Sequence, residues 1–154
     1  MNPYGIQLRQ PLAGDIIGNK IAIAAIGTAF EASYGWRLLN GSTTVAEGYF
    51  QAGSMGLLEA FVHQADVSTD YSGPATLRVF GDDPSGNSEG TGLVEIPVVV
   101  LAGVTGYQPY QVAAGDTLTK IAEQYGSTVD NIALANGLTD PDKIRVGQLL
   151  RIPA

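Results

Sequence analysis

Apolar and polar positions alternate through the first two thirds of the chain, and the period then changes. Ile6 and Leu8 alternate ahead of Pro11, which predicts a short edge strand because proline cannot donate to a ladder. Lys20 to Thr28 is rich in Ile and Ala, with Gly27 near its end. Trp36 to Leu39 runs into Asn40-Gly41, a strong two-residue hairpin signal. Thr43 to Ala52 follows, with Val45, Glu47 and Tyr49 on one parity. In Leu57 to Val67, the positions Leu58, Ala60 and Val62 alternate with Glu59, Phe61 and His63. Ala75 to Phe80 sets Leu77 and Val79 against Arg78 and Phe80, and Leu93 to Ala102 completes the series. Seven short strands divided by Gly, Pro, Asn and Asp clusters predict a two-sheet, all-β sandwich over residues 1–102.

Near the C-terminus the spacing becomes helical. Leu118, Ile121, Ala122 and Tyr125 fall at i, i+3, i+4 and i+7, one apolar face of a short helix. Asp116 or Thr117 can cap its start, and Gly126 suits the left-handed residue past its end. Ser127 or Thr128 then caps a second helix, with capping-box spacing from Ser127 to Asp130. Val129, Ile132, Ala133 and Asn136 repeat the helical spacing, and Asn136-Gly137 ends it. Tyr110 to Ala113 and Leu149 to Ile152 are strand candidates at the two ends. The order strand, helix, helix, strand predicts a small α+β domain over residues 110–154, its helices covering one face of the strand pair. Residues 103–109 form the expected linker, with two glycines that permit bending and Pro109 to stiffen it. Few contacts are expected to cross it, so the two domains are expected to be separable. No internal repeat is visible.

A chain of 154 residues accommodates this two-domain division. Its net charge of −7 is uneven: residues 1–106 hold ten acids and four bases, residues 107–154 five acids and four bases. That balance argues against nucleic-acid binding, which needs a basic face, and against docking on anionic lipid. The longest nearly apolar run, Ile96 to Val104, is too short to span a bilayer and contains Pro97. It reads as a buried strand. Cysteine is absent, which excludes disulfides, thiolate metal sites and a cysteine nucleophile. The start, Met1-Asn2-Pro3-Tyr4-Gly5, lacks a basic region followed by an apolar core. Two expectations follow. A piece of an exported protein would work in the cell envelope or outside the cell; a leaderless protein would be cytoplasmic before assembly or release.

Candidate chemistry is sparse. His63, the single histidine, lies in an alternating strand with no nucleophile-elbow sequence near any serine, and reads as a strand surface residue. The loop from Gly81 to Gly90 gathers Asp82, Asp83, Asn87 and Glu89, oxygen ligands of the kind calcium takes, but Asp-Pro and Ser-Gly make a solvated turn the better reading. Asp116 has no obvious carboxylate partner of the kind glycoside hydrolysis requires. Trp36, Tyr34, Phe30 and Tyr49 could form an aromatic sugar platform, although a core Trp between two sheets is the common arrangement. Tyr107 and Tyr110 are placed to pack between the domains. No catalytic residue, metal ligand or cofactor is expected, and the chain does not read as an enzyme.

Two resemblances give these elements a function. Tyr110-x-Val112-x-x-Gly115-Asp116-Thr117-Leu118, Ile121-Ala122, Tyr125-Gly126, Asn136-Gly137-Leu138, Asp140-Pro141-x-x-Ile144 and Gly147-Gln148-x-Leu150-x-Ile152-Pro153 stand in register. Together they resemble a LysM domain, a module that binds N-acetylglucosamine-containing glycans such as peptidoglycan and chitin. The resemblance implies a shallow groove between two loops, with much of the contact through backbone. By motif position the loops are Gly115 to Leu118 and Leu138 to Ile144. The expected glycan-binding residues are Gly115, Asp116, Thr117, Leu118, Leu138, Asp140, Pro141 and Ile144. Upstream, Pro11-x-x-Gly14, Gly27-Thr28-Ala29-Phe30-Glu31, Trp36 and Glu95-Ile96-Pro97-Val98 resemble the immunoglobulin-like domain of bacterial spore-germination proteins. That family carries a proline before its second strand, where Gly18-Asn19 stands here. The implied function is non-catalytic binding of a peptidoglycan or chitin-like polymer, with the sandwich as spacer or adaptor, available to protein partners. The alternative is a structural or adaptor part of a phage-tail-like or contractile injection assembly, in which the LysM-like domain contacts protein.

Overall fold

The computed structural model describes residues 5–53, 56–81 and 93–154. Eight strands build the first region: β1 (Gln7–Gln10), β2 (Ile16–Ile17), β3 (Lys20–Gly27), β4 (Ser33–Asn40), β5 (Thr43–Gln51), β6 (Glu59–Asp66), β7 (Gly73–Gly81) and β8 (Val94–Val100). They form a three-stranded sheet ordered β1-β3-β6 and a five-stranded sheet ordered β2-β8-β7-β4-β5. The pairings are antiparallel except for β2, which lies parallel to β8. β2 is the strand the sequence pattern did not announce, because two residues are too few to show an alternation.

The alternation of β3, β4 and β7 has one physical result, a packed interior between the sheets. Ile21, Ile23 and Ala25 of one sheet face Trp36, Leu38, Leu77 and Val79 of the other. Cross-strand neighbours Trp36 and Val79, and Leu38 and Leu77, sit in register, so each inward row is continuous. Full burial of such aliphatic side chains contributes roughly 1.5–3 kcal/mol apiece. Trp36 is 1% exposed, as expected of a core tryptophan. Gly48 lies opposite it on β5, where an added Cβ would stand 2.6 Å from Trp36 Nε1. The Asn40-Gly41 turn joins β4 to β5, with Gly41 at φ +61.

The second region follows the expected order: β9 (Tyr107–Gln111), α1 (Leu118–Tyr125), α2 (Val129–Asn136) and β10 (Leu149–Pro153). β9 and β10 pair antiparallel, and Leu118, Ile121, Ala122 and Ile132 cover them together with Val112, Leu150 and Ile152. β9 starts earlier than its motif, so Tyr107, Gln108 and Pro109, expected in the linker, are paired with β10. Proline is tolerated there because β9 belongs to a two-stranded sheet whose strands are all edges.

The connection between the regions departs from expectation. Leu101, Val104 and Ala135 form a buried cluster that joins the sandwich end, the connector and α2, with Ile16, Val99 and Leu134 packed against it. The Asn19 N–H donates to the Val104 carbonyl at 2.8 Å. A Cβ on Gly18 would lie 1.9 Å from that same oxygen. Gly18-Asn19, which replaces the proline of the resembled family, is thus the seat of the connector. Arg151 of β10 donates to the Gly14 carbonyl at 3.1 Å and to the Ala135 carbonyl. The two glycines of the connector permit bending, and Val104 between them is an apolar anchor through which these contacts cross.

Candidate functional site

Two loops of the small domain face each other, and each is shaped by its own hydrogen bonds. In the first, Thr117 is the N-cap of α1, its Oγ1 accepting from the Lys120 N–H at 3.2 Å. Asp116 does not cap the helix. Its Oδ2 accepts from the Ala113 N–H at 2.7 Å and from the Tyr110 hydroxyl at 2.6 Å, which closes the loop on itself. The Tyr110 bond, then the Ala113 bond, hold the Asp116 carboxyl below the usual carboxylate range, and Lys120 adds to this. The same bond to Asp116 raises the Tyr110 phenol. Tyr110 also packs edge-on against Tyr125, with centroids 5.6 Å apart, so it belongs to the small domain and not to the seam between domains. Tyr107 does lie by the seam, beneath the Arg151 guanidinium at 5.7 Å. Gly115 takes φ +85, a conformation that side chains with a Cβ disfavour.

The second loop begins where α2 stops at Gly137, φ +64. Asp140 accepts from the Asp142 N–H at 3.0 Å, and its carbonyl accepts from the Lys143 N–H at 3.1 Å. It is the turn starter that Asp-Pro suggested. α2 is capped by Thr128, which accepts from the Asn131 N–H at 3.1 Å. Ser127, the alternative cap, has its hydroxyl buried with no partner among the described residues. At the other end of α2, Asn136 behaves like a neighbouring strand. Its side chain accepts from the Arg151 N–H and donates to the Arg151 carbonyl, both at 2.8 Å, which pins the helix to β10.

Between the loops lies a cleft of about 120 Å³. Of the expected residues it gathers Asp116, Thr117, Leu118, Pro141 and Ile144, and it adds Thr119, Val129 and Asp142. Gly115, Leu138 and Asp140 are not in its lining. Gly115 supplies the turn, Asp140 is spent on its own loop, and Leu138 lines a neighbouring depression with Pro141. Val129 was legible as the first residue of the second helical face, and its place opposite the first loop was not. Asp142 corrects the expectation that no acid stands across from Asp116. Asp116, its carboxyl held ionised by two donors, is a poor proton source. The cleft offers instead an apolar floor with hydroxyls and carboxylates at its rim.

Other candidates fall elsewhere. Tyr34 and Trp36 face the core while Tyr49, 61% exposed, faces outward, so they build no common platform. The Phe30 side chain lies outside what is described. His63 is not a plain surface residue: it stacks on Phe50 with centroids 4.1 Å apart, and burial lowers its pKa. Residues 82–90 of the acidic loop, read as a solvated turn, lie outside the described residues. No helix among those described is long and apolar enough to cross a membrane, and no group of three or more potential metal-binding side chains occurs among them.

Residues 110–153 match the LysM domain family. Over 44 residues the chain is 50% identical to a secreted LysM effector of Pyricularia oryzae, covering 29% of this chain and 15% of that protein. Over 52 residues it is 48% identical to an N-acetylmuramoyl-L-alanine amidase of Bacillus subtilis, covering 34% of this chain and 18% of that protein. The chain therefore spans less than a fifth of these relatives, all of it in or near the small domain. Among solved structures, a fibronectin(III)-like module of Clostridium thermocellum overlaps 65% of this chain and 98% of its own, at 16% identity and a TM-score of 0.33. Residues 5–88, more than half of the chain, match the immunoglobulin-like domain of bacterial spore germination, and the chain belongs to that family.

Proposed function

We propose that this protein is a non-catalytic glycan-binding protein whose LysM cleft holds N-acetylglucosamine units of a peptidoglycan or chitin-type polymer. The observation that carries the reading is the cleft itself: an apolar floor of Leu118, Val129 and Ile144 between two loops fixed by internal hydrogen bonds. A pyranose has an apolar face and a polar rim, and this lining matches both. The names of the relatives, a LysM effector and a wall amidase, support the same ligand class. The sandwich acts as spacer and adaptor, and the setting is the cell wall or its surroundings. One shallow site gives modest affinity, which the repeated units of a wall polymer multiply.

A second reading keeps the assembly role, with the sandwich contacting protein in a phage-tail-like or contractile particle. It draws on the outer face of the three-stranded sheet, where Val62 is 71% exposed, Ala24 stands across from it and Ala60 lies two residues before it. Co-sedimentation with purified peptidoglycan, with chitin in parallel, separates the two. Retention on either polymer, reduced by Ile144→Ala in a variant that still melts cooperatively, is expected. Absence from both pellets would move the assembly reading ahead. Zymography on cell-wall substrate should show no cleared band; a band lost in Asp116→Asn would make the cleft an active site.

A further inference from the structure

Beside the LysM cleft lies a second, larger depression of about 680 Å³. It shares a wall with the cleft, since Val129 and Pro141 line both. Its far side is not part of the LysM domain: Ser72, in the segment between β6 and β7, closes it from the sandwich. The floor is Leu134 and Leu138, and the rim carries Thr128, Asp130, Asn131 and Thr139. Ser72 Oγ accepts from the Ala102 N–H at 2.9 Å, which orients the hydroxyl and leaves its proton for a ligand. The domains are held in the arrangement that forms this depression by Leu101, Val104 and Ala135, and by Arg151 reaching Gly14.

We propose that this depression is a glycan subsite shared by the two domains, which receives the sugars next in line after those in the LysM cleft. The proposal rests on the reading of the cleft as a sugar site. Three observations choose the occupant. The depression adjoins the cleft across the shared wall of Val129 and Pro141, so a polymer leaving one over that wall meets the other. The cleft's 120 Å³ falls below the roughly 300–1,000 Å³ of ordinary small-ligand sites, while the neighbour falls within that range. The lining is an apolar floor edged by hydroxyls, the Asn131 amide and the Asp130 carboxylate, groups that can pair with the hydroxyls and acetamido group of an N-acetylhexosamine. The sandwich is then more than a spacer: it lengthens the stretch of polymer the protein reads.

The test compares oligomer lengths by isothermal titration on the full chain, using a chitin trimer and a chitin hexamer, with glycan strands stripped from peptidoglycan as a second arm. The blocking variants are Ser72→Trp, from the sandwich side, and Thr139→Trp, from the LysM side, each checked by thermal melt. The parent should bind the hexamer two- to tenfold more tightly than the trimer, a gain the size of one added hydrogen bond, at one protein per oligomer. Both variants should lower hexamer affinity to the trimer's and leave the trimer unchanged. A hexamer advantage that survives both variants is a statistical gain from sliding registers and overturns the proposal, as do equal affinities in the parent. If neither oligomer nor strand binds, the reading of the cleft falls and the subsite falls with it. Whichever polymer shows the length dependence identifies the source of the sugar.

Discussion

In the sandwich, Trp36, Leu38, Leu77 and Val79 meet Ile21 and Ile23 between two sheets, and the interior alone accounts for the shape. In the small domain, seven buried side chains must do the same for two strands and two helices. That is a thin core for a segment near the size at which domains become marginal, about 40–60 residues. The difference is made up by directed bonds: Thr117 and Thr128 at the helix starts, Asp116 across the first loop, Asn136 between α2 and β10. One region is built by burial, the other by burial and bonds together. The bonded region carries the cleft between two loops, because loops with few apolar contacts need fixed hydrogen bonds to keep a shape a ligand can recognise.

The largest way to test this contrast is to hollow out the sandwich. Trp36→Ala removes a fully buried ring from between the sheets and is expected to cost about 3–5 kcal/mol. Trp36 Nε1 has no partner among the described residues, so the loss is packing and not hydrogen bonding. Denaturant titration followed by circular dichroism measures it. A cost below about 1 kcal/mol would mean that burial does not dominate there.

Next in size is the seam. Gly18→Ala sets a Cβ against the Val104 carbonyl, an overpacking expected to cost about 1–3 kcal/mol. The amide signals of Leu134 and Ala135 should move with it, since they pack on the same cluster. Unmoved signals and an unchanged melt would show that the docked arrangement does not persist in solution.

Asn136→Ala probes the bonded region directly. It strips the Arg151 N–H and carbonyl of their side-chain partner and should cost about 1–3 kcal/mol, although Asn136 is not part of the apolar core. Hydrogen exchange at Arg151 should accelerate in the variant. If exchange and melt match the parent, the helix is held by packing after all.

Much of this was readable in advance, for reasons that differ between the regions. Period-two alternation identified β3, β4, β5, β6 and β7, because burial on one side leaves a periodic trace. β2 left none, being two residues long. Gly126 and Gly137 were readable as helix stops because only glycine sits comfortably at φ +68 and +64. The cleft was half readable. Thr117, Leu118, Pro141 and Ile144 follow from the motif, while Thr119 and Asp142 depend on how two loops turn towards each other. The roles of Val104 and Arg151 were hidden for the same reason: each acts on residues distant in the chain, and no local period records that.

A smaller effect separates capping from lining. Thr117→Ala removes an N-cap, expected to cost about 0.5–2 kcal/mol of stability. Thr117 also lines the cleft, so oligomer affinity should fall two- to tenfold if its hydroxyl contacts sugar. Thr117→Ser keeps the cap and the hydroxyl and should restore both. Stability rescued without affinity would assign the methyl group, and not the hydroxyl, to the ligand.

The smallest effect is set by pH and concerns Asp116. The hydrogen bond from Tyr110, and after it that from Ala113, lower its folded pKa beneath the unfolded value of about 3.9. A carboxylate with a depressed folded pKa adds stability that is fully present above the unfolded value and disappears as pH falls through the folded one. The first loop should therefore keep its shape down to about pH 4 and loosen only below it. The amide of Ala113 reports the event, since it donates to the titrating oxygen. Its chemical shift should stay flat from neutral pH to about pH 4 and then move. It should not titrate in Asp116→Asn, and in Tyr110→Phe it should move at a higher pH, because the largest of the lowering causes is gone. Core amides of β4 and β7 should not follow the same curve. A midpoint at or above the ordinary carboxylate value would show that the bonds closing the loop are not maintained, and the small domain would then rest on its thin core alone.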